Sequence, residues 1–104
     1  MFTRSVTMKL KANTATEFSR LIENEILPLL RKQPGFRDEI TFVAPGRAEA
    51  LAISFWDTKE NCDTYDQSGY PELLGIVAKV IEGTPTVENF VLCSSTLHKL
   101  AAKA

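Results

Sequence analysis

Apolar and polar residues alternate regularly from Phe2 to Leu10. The even-numbered positions are apolar except for Arg4, and the odd-numbered ones hold threonine, serine and lysine. A period of two in residues that favour β-structure predicts a strand with one apolar face. Arg4 lies on that apolar face, where an arginine needs an acidic partner or an anionic ligand; exposure at the end of the strand is the alternative.

A long amphipathic segment follows, and its apolar residues recur at helical spacing. Thr14, with Glu17 three residues later, fits a capping box at the start of a helix. The pattern predicts one helix from about Ala15 to Lys32, which ends at a Pro-Gly pair. Pro28 lacks a backbone N–H and crowds the preceding turn, so we expect the helix to bend there.

Two further strands are predicted on either side of a turn. Phe36–Ala44 and Glu49–Trp56 are rich in β-forming residues, and they flank Pro45 and Gly46. Proline presets the first central position of a turn, and glycine permits a positive φ at the next. The sequence therefore predicts a β-hairpin.

The second helical region is predicted in two parts. Thr58 is placed to cap a short polar helix over residues 59–66, which Gly69 interrupts. Helicity resumes at Pro71, a good first residue of a helix, and carries an apolar stripe until Gly83. The region thus predicts a broken helix that covers one face of the sheet.

The last predicted strand is Thr86–Thr96, and Leu97–Ala104 is predicted as a short C-terminal helix or tail. The element order is then βαββαβ, the split βαβ arrangement. We therefore predict an α+β protein of ferredoxin-like fold with an antiparallel sheet, in a single domain over residues 1–104.

The third strand is apolar on both faces, which bears on assembly. Leu51, Ile53 and Phe55 lie on one face, and small residues with Ser54 and Trp56 lie on the other. A strand that is apolar on both faces is typically buried on both. One protomer has helices for only one face, so we predict a homodimer that packs sheet against sheet. A partly exposed face, or one covered by the C-terminal tail, is the alternative.

Composition excludes several classes of protein. A chain of 104 residues is one domain long, and 12 Lys and Arg against 13 Asp and Glu give a net charge of -1. This balance gives no basic footprint for nucleic acid. No apolar run is long enough for a signal peptide or a transmembrane helix, so no membrane association is expected.

Cysteine and histidine are too few for a metal cluster. Cys62 and Cys93 are far apart and form no CxxC pair, and His98 is the only histidine. No phosphate-cradling motif is present, so no nucleotide cofactor is indicated. We predict a cytoplasmic protein with two reduced cysteines, and with no metal, haem or other cofactor.

Two segments carry a resemblance to a known family. Ile26–Phe36 (ILPLLRKQPGF) has a helix-to-strand PGF junction, and Phe55–Glu60 (FWDTKE) has a tryptophan at the end of the third strand. In this order they resemble the antibiotic biosynthesis monooxygenase-like family, over roughly residues 2–95. The resemblance implies a dimeric α+β barrel, with a pocket in each protomer between the sheet and its helices.

The resemblance also bears on chemistry. Trp56 matches the family's third-strand tryptophan, which lines the substrate cavity in the monooxygenases. Nine or ten residues later many members carry a histidine, where this chain has Tyr65 and Asp66. Haem degraders need that histidine as the axial iron ligand, so haem degradation is not expected here.

We assign candidate roles on this basis. Trp56 and Tyr65 are the candidate catalytic residues, and Arg4, Ser54 and Tyr70 are the candidate substrate-binding residues. Trp56 beside small residues is suited to wall a cavity for a flat ligand; the alternative is that it is simply core. For each tyrosine a structural role is the alternative. We interpret six acidic residues as a solvated face: Asp38, Glu39, Asp57, Glu60, Asp63 and Asp66.

Two functions are consistent with these residues. The first is a cofactor-independent monooxygenase that acts on a small aromatic substrate such as a phenol, a quinol or a polyketide-like molecule. The second is a non-catalytic dimer of the same fold that binds a small hydrophobic ligand or serves as an interaction module. A cavity beside Trp56 is the feature that would favour the first.

Overall fold

The computed structural model describes residues 1–97, so the predicted C-terminal helix or tail lies outside the described residues apart from Leu97. The elements are β1 (Phe2–Leu10), α1 (Ala15–Leu21), a π-helical turn (Ile22–Ile26), α2 (Leu27–Arg31), β2 (Phe36–Ala44), β3 (Glu49–Trp56), α3 (Lys59–Gln67), α4 (Gly69–Val77) and β4 (Ile81–Val91). No helix within these residues is long and apolar enough to cross a membrane.

The four strands form one antiparallel sheet in the order β2-β3-β1-β4. The predicted α+β, ferredoxin-like fold is therefore confirmed. The registers place Arg4 of β1 opposite Ser54 of β3 and Asn89 of β4. Ser54 in turn lies opposite Glu39 of β2, so these four residues form one row across the sheet.

The helices cover one face of the sheet. The apolar even-numbered residues of β1 pack there together with Ala50 and Trp56 of β3 and with the buried sides of the helices. Directly paired residues of an antiparallel sheet point to the same side, so Leu51 and Ile53 lie on the far face. Phe42 and Phe90 lie on that far face too, and 54% and 51% of their surface is exposed.

The first helix differs from the prediction in its middle. A π-helical turn interrupts it, and the N–H of Leu27 donates to the carbonyl oxygen of Ile22, five residues back. This wider turn ends two residues before Pro28, whose ring crowds the carbonyl four residues earlier. The proline is thus accommodated by a π-turn that begins six residues upstream of it.

The predicted capping box is wrong. Thr14 is the N-cap residue, but its side chain accepts no capping hydrogen bond. Its hydroxyl donates instead to the carbonyl oxygen of Lys11 at 2.7 Å. Glu17 pairs with Lys79 at 3.7 Å, so both side chains of the expected box have other partners.

The hairpin occupies the predicted residues, but its turn has a different geometry. The N–H of Arg47 donates to the carbonyl oxygen of Ala44, which closes the turn around Pro45 and Gly46. The positive φ of 49° falls on Ala48 and not on Gly46. The loop is therefore a tight turn followed by one left-handed residue, a common four-residue hairpin connection.

The last helix and the last strand meet earlier than predicted. α4 ends at Val77, and β4 already begins at Ile81, which pairs with Leu10. Gly83 has a φ of 67°, and the register of β4 shifts between Thr7 and Lys9 of β1. The glycine that signals a helix end in the sequence thus lies in an irregular part of the strand.

The predicted start of the second helical region is confirmed. The N–H of Asn61 donates to the hydroxyl of Thr58 at 3.1 Å, which caps α3. The helix breaks at Ser68, and α4 begins at Gly69, two residues before the predicted Pro71. This break places Tyr65 on α3 and Tyr70 on α4 beside each other, with ring centroids 6.2 Å apart.

Candidate functional site

A cavity lies between the helices and the covered face of the sheet. It is half-enclosed and mainly apolar. The volume that the centre of a water molecule can occupy in it is about 30 Å³. This is room for little more than two water molecules. The lining residues are Arg4, Val6, Met8, Ile22, Ile26, Leu30, Glu39, Ala52, Ser54, Tyr65, Tyr70, Leu73 and Val77.

Arg4 is the charged centre of this cavity. It is only 2% exposed, so the alternative of exposure at the end of the strand is wrong. Its Nη2 lies 2.8 Å from Oδ1 of Asp66. Neither this nitrogen nor Nε has a hydrogen-bond partner of acceptable geometry, so the Asp66 contact is an ion pair without an aligned hydrogen bond. The Nε of Arg4, which has no hydrogen-bond partner, is therefore left to a ligand, whereas Nη2 already pairs with the Asp66 carboxylate.

Aromatic rings hold the guanidinium from the helix side. Its Cζ lies 4.2 Å from the ring centroid of Tyr70 and 5.7 Å from that of Tyr65. A cation over an aromatic face is attracted by the electron-rich ring, the more so where water is excluded. Two of the predicted site residues on the helices thus meet Arg4 on the strand.

Trp56 lies behind this cavity and does not line it. Its ring is fully buried, with Tyr65 stacked on it at a centroid distance of 4.8 Å and Phe36 edge-on at 5.5 Å. Its indole N–H donates to the hydroxyl of Ser54 at 2.9 Å. The expectation that Trp56 walls a cavity is therefore corrected: Tyr65, which covers the indole, is the aromatic wall.

Ser54 connects the tryptophan to the arginine. Its Oγ accepts the indole hydrogen bond, and it approaches the carbonyl oxygen of Arg4 at 3.5 Å, the long limit of a hydrogen bond. Ser54 is buried and lines the cavity. The structure thus brings Arg4, Ser54, Tyr65 and Tyr70 to one cavity.

Burial governs the ionisation of the tyrosines. It raises the pKa of Tyr65 far above its usual value, and the nearby positive charge of Arg4 opposes this shift only partly. Burial also raises the pKa of Tyr70, against the charge and hydrogen bond of Arg4. Both hydroxyls therefore stay protonated near neutral pH and are able to donate hydrogen bonds, but neither is a base.

Glu39 is a cavity residue that the sequence interpretation missed. We expected it on a solvated face, but it is half-buried on β2 and lines the cavity. Thr41 donates a short hydrogen bond to its Oε2. The register of the hairpin could have revealed this position. Pairing Ala44 with Glu49 places Glu39 opposite Ser54, a residue already expected on the covered face. Asp66 also has a specific partner, Arg4, although its side chain is about half exposed.

The cysteines take no part in this site. Cys62 is buried in the core, where loss of solvation raises the pKa of its thiol. Cys93 is exposed just after β4. Within residues 1–97, no group of three or more His, Cys, Asp and Glu side chains is arranged to hold a metal ion.

The class of fold is defined by comparison with solved structures. The chain matches no protein-family profile and no curated protein. Among solved structures, a monooxygenase of Streptomyces coelicolor in complex with nanaomycin D superposes with a TM-score of 0.75 at 15% identity, over 92% of this chain and 90% of that one. Structures named as antibiotic biosynthesis monooxygenases superpose on the chain as well, so it has the fold that the sequence predicted.

Two further structures show how varied this fold is. SnoaB, a cofactor-independent oxygenase from Streptomyces nogalater solved as a mutant, has a TM-score of 0.73 at 14% identity, over 92% of this chain and 96% of that one. A mutant of MhuD with two manganese protoporphyrin IX molecules per active site has a TM-score of 0.72 at 12% identity, over 92% and 98% of the two chains. At these identities the comparisons establish the fold alone.

The cavity does not fit a porphyrin. Among residues 1–97 its lining holds no histidine and no cysteine, and the thioether of Met8 alone is a weak ligand. Burial keeps Tyr65 and Tyr70 protonated, which disfavours them as iron ligands. The narrow space is also far smaller than a porphyrin ring. The side chains present thus give no support for haem chemistry.

Proposed function

We propose that the protein is a cofactor-independent monooxygenase that acts on a small phenol or quinol. The observation that carries this proposal is the buried guanidinium of Arg4, which lines an apolar cavity and whose Nε has no hydrogen-bond partner. A buried donor without a partner is costly, and an oxyanion would satisfy it. A phenolate combines such an oxyanion with a flat apolar ring, which matches the rest of the lining.

The proposed reaction needs only the substrate and dioxygen. The phenol loses its hydroxyl proton, and the phenolate transfers an electron to dioxygen. One oxygen atom then bonds to a ring carbon, and the other leaves as water with the phenolic hydrogen and the hydrogen from that carbon. Overall, phenol and dioxygen give quinone and water, with the substrate as the reductant.

Each predicted site residue receives a role in this proposal. Arg4 stabilises the phenolate oxygen by charge and by hydrogen bonds in a site where water is excluded. Tyr65 and Tyr70 form the aromatic wall, and their protonated hydroxyls donate to the substrate. Ser54 offers a polar contact on the sheet side. Trp56 is a positioning residue, because it fixes Tyr65 by stacking and Ser54 by its indole hydrogen bond.

Substrate entry requires the lining to open. A six-membered ring needs more room than the cavity offers, and Tyr70 and Leu73 are lining residues of α4 that are only half-buried. Both follow the helix break at Ser68. Rotamer changes of such side chains are common on ligand binding, and we propose that these two admit the ring.

Oxygen uptake tests the proposal directly. An oxygen electrode should record consumption above the buffer rate with some member of a panel of phenols and dihydroxy aromatics. One quinone from a phenol, or one hydroxyquinone from a dihydroxy aromatic, should form for each dioxygen consumed. Arg4→Met should lower kcat/KM by about 10- to 100-fold, which corresponds to one lost hydrogen bond from a charged group. Arg20→Met, at an exposed position of α1, is the matched control and should leave uptake unchanged.

The result that would contradict catalysis is equally concrete. If the panel quenches the fluorescence of Trp56 saturably but no oxygen is consumed, the protein is the ligand-binding module of our second hypothesis. The burial of Trp56 behind Tyr65 favours that second function, because the indole then makes no direct contact with a substrate. If no compound quenches or reacts, the aromatic-ligand proposal fails altogether.

We also propose that the protein assembles as a homodimer through the far face of its sheet. Phe42 and Phe90 are exposed there, and Leu51 and Ile53 are only half-buried. A second copy of the same face would remove this apolar surface from water. Phe55, which the sequence placed on the same face, is already buried within the protomer. It therefore contributes less to a dimer contact than we expected.

A cytoplasmic location is part of the same proposal. Both cysteines are free thiols, one of them buried and the other exposed. Free thiols persist in reducing compartments. Oxidative pairing of Cys93 between two copies during purification without reductant would be consistent with this view.

A further inference from the structure

Arg4 and Glu39 lie on either side of Ser54 in one row across three strands. All three residues line the cavity between the sheet and the helices. Neighbouring strands are about 4.8 Å apart, so the backbones that carry the cation and the carboxyl group are roughly 10 Å apart. This separation allows one hydroxyl oxygen of a substrate to lie within reach of both side chains once the lining has opened to admit the ring.

The surroundings of Glu39 suit a group that accepts a proton. It is half-buried, and the side chains around it in the cavity are mainly aliphatic, from Ile22, Ile26 and Leu30. Thr41 donates a hydrogen bond to Oε2, and no other described residue donates to the carboxyl group. Burial raises the pKa of Glu39, as does the charge of Glu23, while the bond from Thr41 opposes the shift.

We propose that Glu39 is the general base that removes the proton from the phenolic hydroxyl of the substrate. The O–H bond of the phenol breaks, its electron pair stays on the phenolate oxygen, and the proton bonds to a carboxylate oxygen of Glu39. The new negative charge then lies beside Arg4. This inference rests on the proposed function, and it adds the catalytic base and a requirement that the substrate have an ionisable hydroxyl.

Charge balance supports this assignment. Before the transfer the site holds the Arg4 cation and the carboxylates of Glu39 and Asp66, and afterwards it holds the same cation, the Asp66 carboxylate and one phenolate. The total charge in the site therefore does not change, and no ion has to enter the apolar space from water. The other titratable groups that face the cavity, Tyr65 and Tyr70, stay protonated and do not compete for the proton.

A series of substrates with increasingly acidic hydroxyl groups tests the base. Glu39→Gln keeps the shape of the side chain but removes its basicity. With weakly acidic phenols, oxygen uptake by this variant should fall by about 100- to 10,000-fold, the usual contribution of a general base. With phenols that are already ionised at the assay pH, uptake should approach that of the unmutated protein, because no proton remains to be removed.

Two further variants separate chemistry from structure. Glu39→Asp keeps the carboxylate and should restore part of the activity towards weakly acidic phenols. Glu25→Gln, at an exposed position of the π-helical turn, should change nothing. A structural role of Glu39 would lower the activity of Glu39→Gln equally for every phenol, and that result would overturn the inference.

The outcomes also distinguish this inference from the proposed function. If the unmutated protein consumes oxygen and Glu39→Gln is as active with weakly acidic phenols, the inference is wrong while the monooxygenase proposal stands. If the unmutated protein consumes no oxygen with any phenol of the series, the monooxygenase proposal is wrong, and the assignment of Glu39 as its base is wrong as well. Selective loss with the weakly acidic phenols supports both.

Discussion

The phenol ring of Tyr65 stacks on the indole ring of Trp56, with centroids 4.8 Å apart and planes inclined by 29°. Both rings are almost fully buried, and only Tyr65 lines the cavity. A ligand in that cavity therefore meets the tyrosine, while the tryptophan keeps the tyrosine in place. This arrangement separates the effect of Trp56 on stability from any direct contact with substrate.

Trp56→Ala should lower the free energy of unfolding by about 3 to 5 kcal/mol, because it leaves a large void beneath Tyr65. Trp56→Phe should cost less, since a ring remains to stack on. Denaturant unfolding followed by circular dichroism measures both variants. A loss below about 1 kcal/mol for the alanine variant would show that Trp56 is not part of the packed core.

The strands were largely predictable from the sequence. The bounds of the hairpin strands agree with the structure, and so does the apolar side of β1. These predictions succeed because a period of two directly reports which face is buried. The start of β4 was predicted wrongly because local and long-range interactions compete. Gly83 is typical of a helix end, but Ile81 already pairs with Leu10, so the strand begins before the glycine.

The site was only partly predictable, because a cavity depends on three-dimensional proximity. Arg4 was a good candidate since a cation on an apolar face is unusual, and the structure gives it Asp66 as a partner. Glu39 was missed because the residue type alone does not distinguish a glutamate that lines a cavity from one on the solvated surface. The position of Trp56 behind Tyr65 could not be predicted from the sequence either, because it depends on where α3 packs on the sheet.

The ion pair between Arg4 and Asp66 should stabilise the protein only weakly. Arg4→Met removes a buried charge with unsatisfied donors and keeps an apolar side chain of similar length, so it should leave the free energy of unfolding unchanged or raise it. Asp66→Ala should lower it by about 1 kcal/mol, since the Asp66 side chain is half exposed and water screens its charge. Thermal unfolding of both variants compares them. A marked loss of stability in Arg4→Met would contradict the view that this arginine is kept for binding.

Gly35 should not tolerate a side chain. Its φ is +78°, and a Cβ atom there would lie 2.3 Å from the side chain of Asn61. Gly35→Ala should therefore cost at least about 1 to 2 kcal/mol in unfolding free energy, from the backbone alone. Gly46→Ala is the matched control, because nothing lies within 4 Å of its Cβ position and its φ is not positive. Equal stability of the two variants in urea would refute this explanation of the PGF junction.

Ile53→Glu should abolish the proposed dimer, because it places an unpaired charge in the centre of the far sheet face. Phe42→Glu is a second variant, at a position where the protomer alone leaves 54% of the side chain exposed, so folding should survive. Ser19→Glu, exposed on α1, is the control on the helix side. Light scattering should give a dimer for the unmutated protein and the control, and a monomer for Phe42→Glu. If the unmutated protein is a monomer at micromolar concentration, the homodimer proposal is wrong.

The stability of the fold should depend on the charge of Glu39. Burial raises its pKa above the usual 4.5, so the folded protein holds this proton more tightly than the unfolded chain does. The contribution of Glu39 to the unfolding free energy should then fall as the pH rises from about 4.5 through the raised value.

Glu39→Gln stays neutral at every pH and should escape this loss. It should melt near the same temperature as the unmutated protein below about pH 4 and at a higher temperature near pH 8. Glu25→Gln again serves as the control, because its position is exposed. If the difference in melting temperature between Glu39→Gln and the unmutated protein does not grow with pH, Glu39 is not desolvated in the folded state. A larger difference at high pH would mean that the protein keeps an unfavourable carboxylate in its cavity, which is what a general base requires.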